Sequence, residues 1–138
     1  VRMEAAMKNA GAIATFLEGS PNLVSKVLYP GLDSHPQRNI VVEQMKGGGA
    51  MITFFINGDL DESRVFLKSL KVFTLAESLG AVESLAECPA VMTHASVPEE
   101  ERRKLGISNN LVRLSVGIEH IDDLIPDLKQ ALEAAVLK

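Results

Sequence analysis

One arginine in the middle of an apolar run is the residue of this sequence best placed to bind an anion. Residues 111–116 read LVRLSV, and their alternation predicts a β-strand with Arg113 on the face opposite Val112 and Leu114. The planar guanidinium of such an arginine can bind a carboxylate through two parallel hydrogen bonds. A solvated or salt-bridged arginine would give the same pattern, because exposed arginine is common. The strand alone leaves both interpretations open.

A serine at position 78 lies in a second segment that could carry chemistry. Residues 76–80, AESLG, follow a predicted strand at 72–75 and are a near-variant of the nucleophile elbow of serine hydrolases, with alanine in the first glycine position. The chain is short for that fold, and His94 or His120 would have to act as the base without a supporting motif. We therefore do not expect Ser78 to be a nucleophile.

The remaining candidates for a site have simpler explanations. Gly47-Gly48-Gly49 leads from a predicted helix into a predicted strand, which is the reverse of the order in a phosphate-binding loop, so a turn is expected. The three histidines, His35, His94 and His120, are too scattered for a recognised metal spacing. The single cysteine, Cys88, excludes an internal disulfide and a multi-cysteine metal site.

Composition limits the class of protein and its partners. A chain of 138 residues with 46% hydrophobic residues fits one globular domain with an aliphatic core. The net charge is −4 and no basic stripe is present, so we do not expect a nucleic-acid partner. No apolar stretch approaches the roughly 20 residues that span a bilayer, so no membrane partner is expected either. Cysteine usage favours a reducing, cytoplasmic location.

Hydrophobic periodicity predicts the elements that must position Arg113. Helices are expected at 2–17, at 35–45 after a Ser34 cap, from Asp59 or Asp61, from Pro98 and from Asp122; strands are expected at 24–29, 50–56, 72–75 and 111–116. The nearly continuous apolar run at 50–56 suggests burial on both faces of that strand. Residues 76–97 show no regular pattern, which suggests an irregular, site-forming segment. This order predicts an α+β domain: a small, mostly antiparallel sheet with helices packed on one face.

Six short motifs occur in order along the chain. They are Tyr29-Pro30-Gly31-Leu32, Ser34-His35-Pro36, FTLAESLG at 73–80, Glu83-Ser84-Leu85, MTHAS at 92–96 and LVRLSVG at 111–117. With these motifs the chain resembles, over essentially its whole length, the C-terminal domain of the fold-type I pyridoxal-phosphate family that contains the cystathionine γ-lyases and γ-synthases of sulfur amino acid metabolism. One local departure is Ala5-Ala6, where relatives often have a Lys-His pair.

The resemblance implies a set of substrate-binding residues. Arg113 matches the family arginine that clamps the substrate α-carboxylate, and Ser78 matches the serine beside that carboxylate. Glu77 matches the glutamate near the far end of the substrate, and Thr93 matches a threonine that lines the same pocket. The Glu77-Ser78 pair favours the lyase members of the family. The substrate would then be the small amino acid L-cystathionine, cleaved to L-cysteine, 2-oxobutanoate and ammonia.

The resemblance also implies parts that this sequence lacks. The cofactor would be pyridoxal phosphate, bound by a large N-terminal domain through a lysine in a Ser-x-Thr-Lys stretch that is absent here. Residues 1–20 would be the linking helix from that domain and residues 21–138 the substrate-binding domain, in an enzyme that forms a homotetramer. The chain alone is expected to be inactive. A γ-synthase, a methionine γ-lyase and a non-catalytic amino-acid-binding module remain the alternatives.

Overall fold

The computed structural model describes residues 1–137 as helices α1 to α5 around strands β1 to β5. The order along the chain is α1 (Arg2–Glu18), β1 (Val24–Leu28), α2 (Arg38–Gln44), β2 (Met51–Ile56), α3 (Leu60–Ser69), β3 (Thr74–Leu75), β4 (Leu85–Glu87), α4 (Glu99–Lys104), β5 (Leu111–Ser115) and α5 (Ile121–Val136). Each predicted helix and strand is present at close to its expected position. One strand, β4, lies inside the segment that was predicted to be irregular throughout.

The five strands form one mixed sheet in the order β1-β2-β5-β4-β3. Strand β2 pairs antiparallel with β1 and with β5, β4 pairs antiparallel with β5, and β3 pairs parallel with β4. The prediction of a mostly antiparallel sheet is therefore corrected, since the sheet is mixed. Parallel neighbours usually need a connection of a dozen or more residues. Residues 76–84 suffice here because β3 and β4 are only 2 and 3 residues long.

The core lies between one face of the sheet and three of the helices. Helices α1, α3 and α5 contribute buried apolar residues to it, whereas α4 contributes none. Phe54 of β2 meets Phe66 of α3 edge to face, with ring centroids 5.7 Å apart. Such aromatic pairs add to the free energy gained from burial alone. Fully buried side chains of this core include Ile13, Leu17, Ile52, Phe54, Ile56, Phe66, Val112, Leu114, Leu124, Leu128 and Leu132.

The other face of the sheet is only partly covered. Ile52, Phe54 and Ile56 of β2 are fully buried on the helix side, whereas the alternate residues Met51, Thr53 and Phe55 are half-buried. The prediction of burial on both faces of β2 was therefore wrong. All six residues alternate across the pleat, so a continuous apolar run does not require equal burial of both faces. At β2 the second face of the sheet therefore stays partly accessible.

A buried carboxylate fixes the chain just before β3. Asp127 lies in α5 and is 5% exposed. Its two carboxylate oxygens accept hydrogen bonds from the backbone N–H groups of Lys71, Val72 and Phe73 at 2.8, 2.8 and 3.1 Å. Buried polar groups need hydrogen-bond partners, and here one carboxylate and three backbone N–H groups satisfy one another. Asp127 thereby holds residues 71–73, directly before β3, against α5.

Two features that would indicate other functions are absent from residues 1–137. Within that range, no helix is both long and apolar enough to cross a membrane. In the same range, the side chains of His, Cys, Asp and Glu form no group of three or more that could hold a metal ion.

Candidate functional site

Arg113 lies at the centre of the sheet, on the face away from the helices. In the strand register Arg113 is directly opposite Thr53 of β2 and Glu87 of β4. Residues directly opposite each other in antiparallel strands place their side chains on the same face. Val112 and Leu114 point to the other face and are fully buried. The predicted division of β5 into a core face and an Arg113 face is confirmed.

The guanidinium of Arg113 is held at both terminal nitrogens. Nη1 is 3.0 Å from Oε1 of Glu87, and Nη2 donates to the backbone carbonyl of Glu77 at 3.0 Å. The side chain is 23% exposed. An arginine has five N–H donors, and these two contacts use one on each terminal nitrogen. Among the described residues Arg113 therefore combines a fixed position with donors left over for a ligand.

Glu87, the ionic partner of Arg113, is the residue that the sequence did not reveal. Its side chain is 1% exposed, and its Oε2 is buried without a hydrogen-bond partner in the described chain. Burial raises the pKa of the Glu87 carboxyl, while Arg113 and the Thr93 hydroxyl act in the opposite direction. A buried carboxylate with one unpaired oxygen depends strongly on its cation. Arg113 is that cation.

Thr93 reaches the same network through Glu87. Its Oγ1 donates to Oε1 of Glu87 at 3.4 Å and lies 2.9 Å from Nδ1 of His94. Thr93 belongs to the turns that follow β4, and its side chain is exposed. The structure thus connects Thr93, Glu87, Arg113 and the carbonyl of Glu77 in one chain of contacts.

Ser78 directly follows Glu77 in sequence, in the irregular segment between β3 and β4. The side chains of Glu77 and Ser78 are both exposed. The segment is fastened to β5, because the backbone N–H of Gly80 donates to Oγ of Ser115 at 2.8 Å. A nucleophile elbow requires a helix directly after the serine, and the chain instead continues irregularly into β4. In the described residues no histidine is hydrogen-bonded to Ser78, which also argues against a hydrolase.

Of the other three predicted site residues, two are connected to Arg113 by observed contacts, and the third is a sequence neighbour of one of them. Glu77 contacts it through its carbonyl, Ser78 follows Glu77 in the chain, and Thr93 is connected through Glu87. The arrangement offers a cation with free donors on a partly exposed face, next to exposed hydroxyl and carboxylate side chains. Such an arrangement suits a small molecule that carries a carboxylate.

Comparison with known proteins identifies relatives over almost the whole chain. The family model for Cys/Met metabolism PLP-dependent enzymes matches residues 1–133. Cystathionine gamma-lyase from Dictyostelium discoideum is 63% identical over 133 residues, which are 96% of this chain and 34% of the relative. The human protein of the same name is 58% identical over 135 residues, or 98% of this chain and 33% of the relative.

Solved structures give the same result for the fold. A crystal structure of cystathionine gamma-lyase from yeast matches 97% of this chain and 35% of its own, with a TM-score of 0.95 and 48% identity. Cystathionine gamma synthase from Xanthomonas oryzae pv. oryzae, solved with cystathionine, matches 97% of this chain and 34% of its own, with a TM-score of 0.91 and 46% identity.

This chain spans about a third of the length of the relatives it matches. The family takes pyridoxal phosphate as its cofactor. With a family model matched over 133 of 138 residues and relatives near 60% identity, the chain belongs to the Cys/Met metabolism PLP-dependent enzymes.

Proposed function

We propose that this chain is the C-terminal, substrate-gripping part of a carbon–sulfur lyase. The full enzyme would convert L-cystathionine and water to L-cysteine, 2-oxobutanoate and ammonia. Relatives named cystathionine gamma-lyase, 63% and 58% identical over nearly the whole chain, support this reaction. The observation that carries the proposal is Arg113, which is held at both terminal nitrogens and still partly exposed.

Arg113 would bind the α-carboxylate of the amino acid. A guanidinium that is already fixed by Glu87 and the Glu77 carbonyl loses little freedom when a substrate binds, so its remaining donors can orient the ligand. A bidentate grip on the carboxylate fixes the rotation of the substrate about its α-carbon. The orientation of the Cα–H bond is then set before a proton is removed, which lowers the barrier by positioning.

Three further residues would line the substrate site. Ser78 would lie beside the carboxylate as a hydroxyl donor, and Glu77 would present its exposed carboxylate toward the distal amino group of cystathionine. Thr93 would border the same pocket. Opposite charges placed this way favour a substrate with a second ammonium group over one with an apolar tail.

The cofactor would be held elsewhere in the full enzyme. Pyridoxal phosphate, when bound, supplies an electron sink for removal of protons from the amino acid. None of the lysines at residues 1–137 forms an ion pair or hydrogen bond with Arg113, Glu87 or Thr93. The residues of this site fit a carboxylate and do not provide the lysine that would bond the cofactor. We place that lysine in an N-terminal domain, with residues 1–20 as the linking helix and residues 21–138 as the substrate-binding domain, in a cytoplasmic homotetramer.

A γ-synthase is the second candidate, because a structure with that name matches 97% of the chain at 46% identity. The two activities differ in the reaction at the γ-carbon: a lyase eliminates cysteine from cystathionine, whereas a synthase joins the thiol of cysteine to a four-carbon amino acid and releases the leaving group that its γ-carbon carried. Following cystathionine by chromatography with each substrate set, at equal enzyme concentration, separates them. Net consumption supports the lyase, and net formation would overturn it in favour of the synthase.

The carboxylate grip is tested with Arg113→Lys in the full-length enzyme. Lysine keeps the positive charge but loses the planar pair of donors, so we expect kcat/KM for cystathionine to fall about 100-fold. Arg103→Lys is the matched control, since Arg103 lies on α4 and its side chain is 74% exposed. Kinetics of Arg113→Lys that equal those of Arg103→Lys would rule out the proposed role.

A further inference from the structure

We propose that Glu87 is the positioning residue for Arg113, and that Thr93, at the border of the substrate pocket, contributes to binding by orienting Glu87. The inference rests on the proposed role of Arg113 as the carboxylate clamp. It adds a residue outside the four that the sequence analysis identified. Glu87 is 1% exposed and therefore does not touch a ligand itself; it acts through the guanidinium.

Because Glu87 is buried, it has no alternative ion-pair partner among the described residues that could replace Arg113. Oε2 of Glu87 has no hydrogen-bond partner in the described chain, and Oε1 is 3.0 Å from Nη1 of Arg113. If a substrate pulled Arg113 away, Glu87 would remain as a buried carboxylate without its cation, which is strongly unfavourable. The substrate must therefore bind to an arginine that keeps its contact with Glu87. That contact fixes where the free donors point.

The strand register adds a geometric reason. Glu87 and Arg113 are directly opposite on neighbouring antiparallel strands, so their backbones are held together by the sheet. The Glu77 carbonyl contacts the other terminal nitrogen at 3.0 Å. The guanidinium is thus held at two points, one from β4 and one from the segment between β3 and β4. Loss of either point allows it to rotate about its side-chain torsions.

Thr93 completes the arrangement from the turns after β4. Its hydroxyl donates to Oε1 of Glu87, the same oxygen that contacts Arg113. At 3.4 Å this hydrogen bond is long, so its expected contribution is smaller than that of the ion pair. Because Thr93 is exposed, a direct contact with substrate is the competing explanation.

The test uses the full-length enzyme with Glu87→Gln, Thr93→Val and Thr93→Ser. Glutamine removes the charge, and a charge-assisted hydrogen bond is about twice as strong as a neutral one, so we expect KM for cystathionine to rise about tenfold while kcat changes by less than about threefold. Thr93→Val should raise KM about threefold, whereas Thr93→Ser, which keeps the hydroxyl, should have the KM of the unmodified enzyme. The Glu87→Gln/Thr93→Val pair should be no worse than Glu87→Gln alone, since both act through one carboxylate.

Binding is measured separately from turnover by titration calorimetry with glycine, which has the α-amine and carboxylate but no side chain to eliminate. The dissociation constant should rise by the same factor as KM in Glu87→Gln. Glu83→Gln is the control, because Glu83 is an exposed carboxylate close in sequence, in the segment between β3 and β4. Additive effects of Glu87→Gln and Thr93→Val, or no recovery in Thr93→Ser, would overturn the role given to Thr93.

The results also separate this inference from the proposed function. If Arg113→Lys is severely impaired while Glu87→Gln keeps a normal KM and normal glycine affinity, the inference fails and the carboxylate clamp stands. A fall in kcat with unchanged KM in Glu87→Gln, matched by an equal loss of folded enzyme in circular dichroism, would also overturn the inference. If Arg113→Lys is unimpaired, the proposed function itself fails.

Discussion

Removing the cation from Glu87 should destabilise the chain in a way that depends on pH. We consider Arg113→Met, which keeps an apolar stem of similar length and deletes the charge. Loss of one partner of a buried ion pair costs about 3–5 kcal/mol, whereas exposed pairs contribute about 0–1 kcal/mol. Glu87 is 1% exposed and Arg113 is 23% exposed. The pair is closer to the buried limit, so we expect a loss of about 2–3 kcal/mol in unfolding free energy at pH 7.

A second substitution in the same pair isolates the cause. In Arg113→Met/Glu87→Met the buried charge is gone as well, and apolar replacement of both partners of an ion pair is often close to neutral. The double variant should therefore be more stable than Arg113→Met alone by about 2 kcal/mol at pH 7. Arg103→Ala is the control for deletion of an arginine, because its pair with Glu99 is exposed and contributes about 0.5 kcal/mol or less.

The pH dependence follows from the direction of the pKa shift. Burial already raises the pKa of Glu87, and loss of Arg113 raises that pKa further, since Arg113 acts to lower it. Thr93 and His94 also lower the pKa, and Glu77 raises it. A carboxyl with a raised folded-state pKa stabilises the fold below its unfolded pKa, and that contribution is lost as the pH rises through the folded value. The defect of Arg113→Met should therefore shrink on going from pH 7 to pH 4.

The assay is urea unfolding of the 138-residue chain, followed by circular dichroism at pH 7 and pH 4. Each variant is compared with the unmodified chain at the same pH, so that general acid effects cancel. A double variant no more stable than Arg113→Met at pH 7 would refute the reasoning. So would a penalty for Arg113→Met that is the same at both pH values.

Two further predictions concern the chain as a whole and the residues directly before β3. The chain alone should neither bind pyridoxal phosphate nor cleave cystathionine. Binding is checked by an absorbance spectrum after dialysis against the cofactor, and cleavage by an assay for released cysteine. Measurable cleavage would contradict the prediction. Asp127→Ala removes the acceptor of three backbone N–H groups at residues 71–73, so it should lower the unfolding free energy by about 2–4 kcal/mol in urea unfolding. A change below about 0.5 kcal/mol would show that water replaces the carboxylate.

Elements with a long, regular pattern could be predicted from the sequence. Helices α1 and α5, with 17 and 16 residues, repeat their apolar positions over four turns, and β5 alternates around Arg113. Within the site, the face of Arg113 followed from that alternation. The family resemblance, rather than any pattern, supplied Glu77, Ser78 and Thr93.

Strand β4 and its last residue could not be predicted in this way. Three residues, Leu-Ala-Glu, are too few to show a period of two, and all three are buried, so no alternation of burial marks them. Glutamate is almost never fully buried unless it is paired. The burial of Glu87 depends on the register of β4 against β5, which is a tertiary contact between residues 26 positions apart. The parallel pairing of β3 escaped prediction for the same reason.

The contact between Arg113 and position 77 uses a backbone oxygen, and the side chain at that position is exposed. A carbonyl is present whatever amino acid occupies the position. Substitution of the side chain at 77 therefore leaves this anchor of the guanidinium in place. Under the role proposed for Glu77, a change of substrate choice would then require few compensating substitutions.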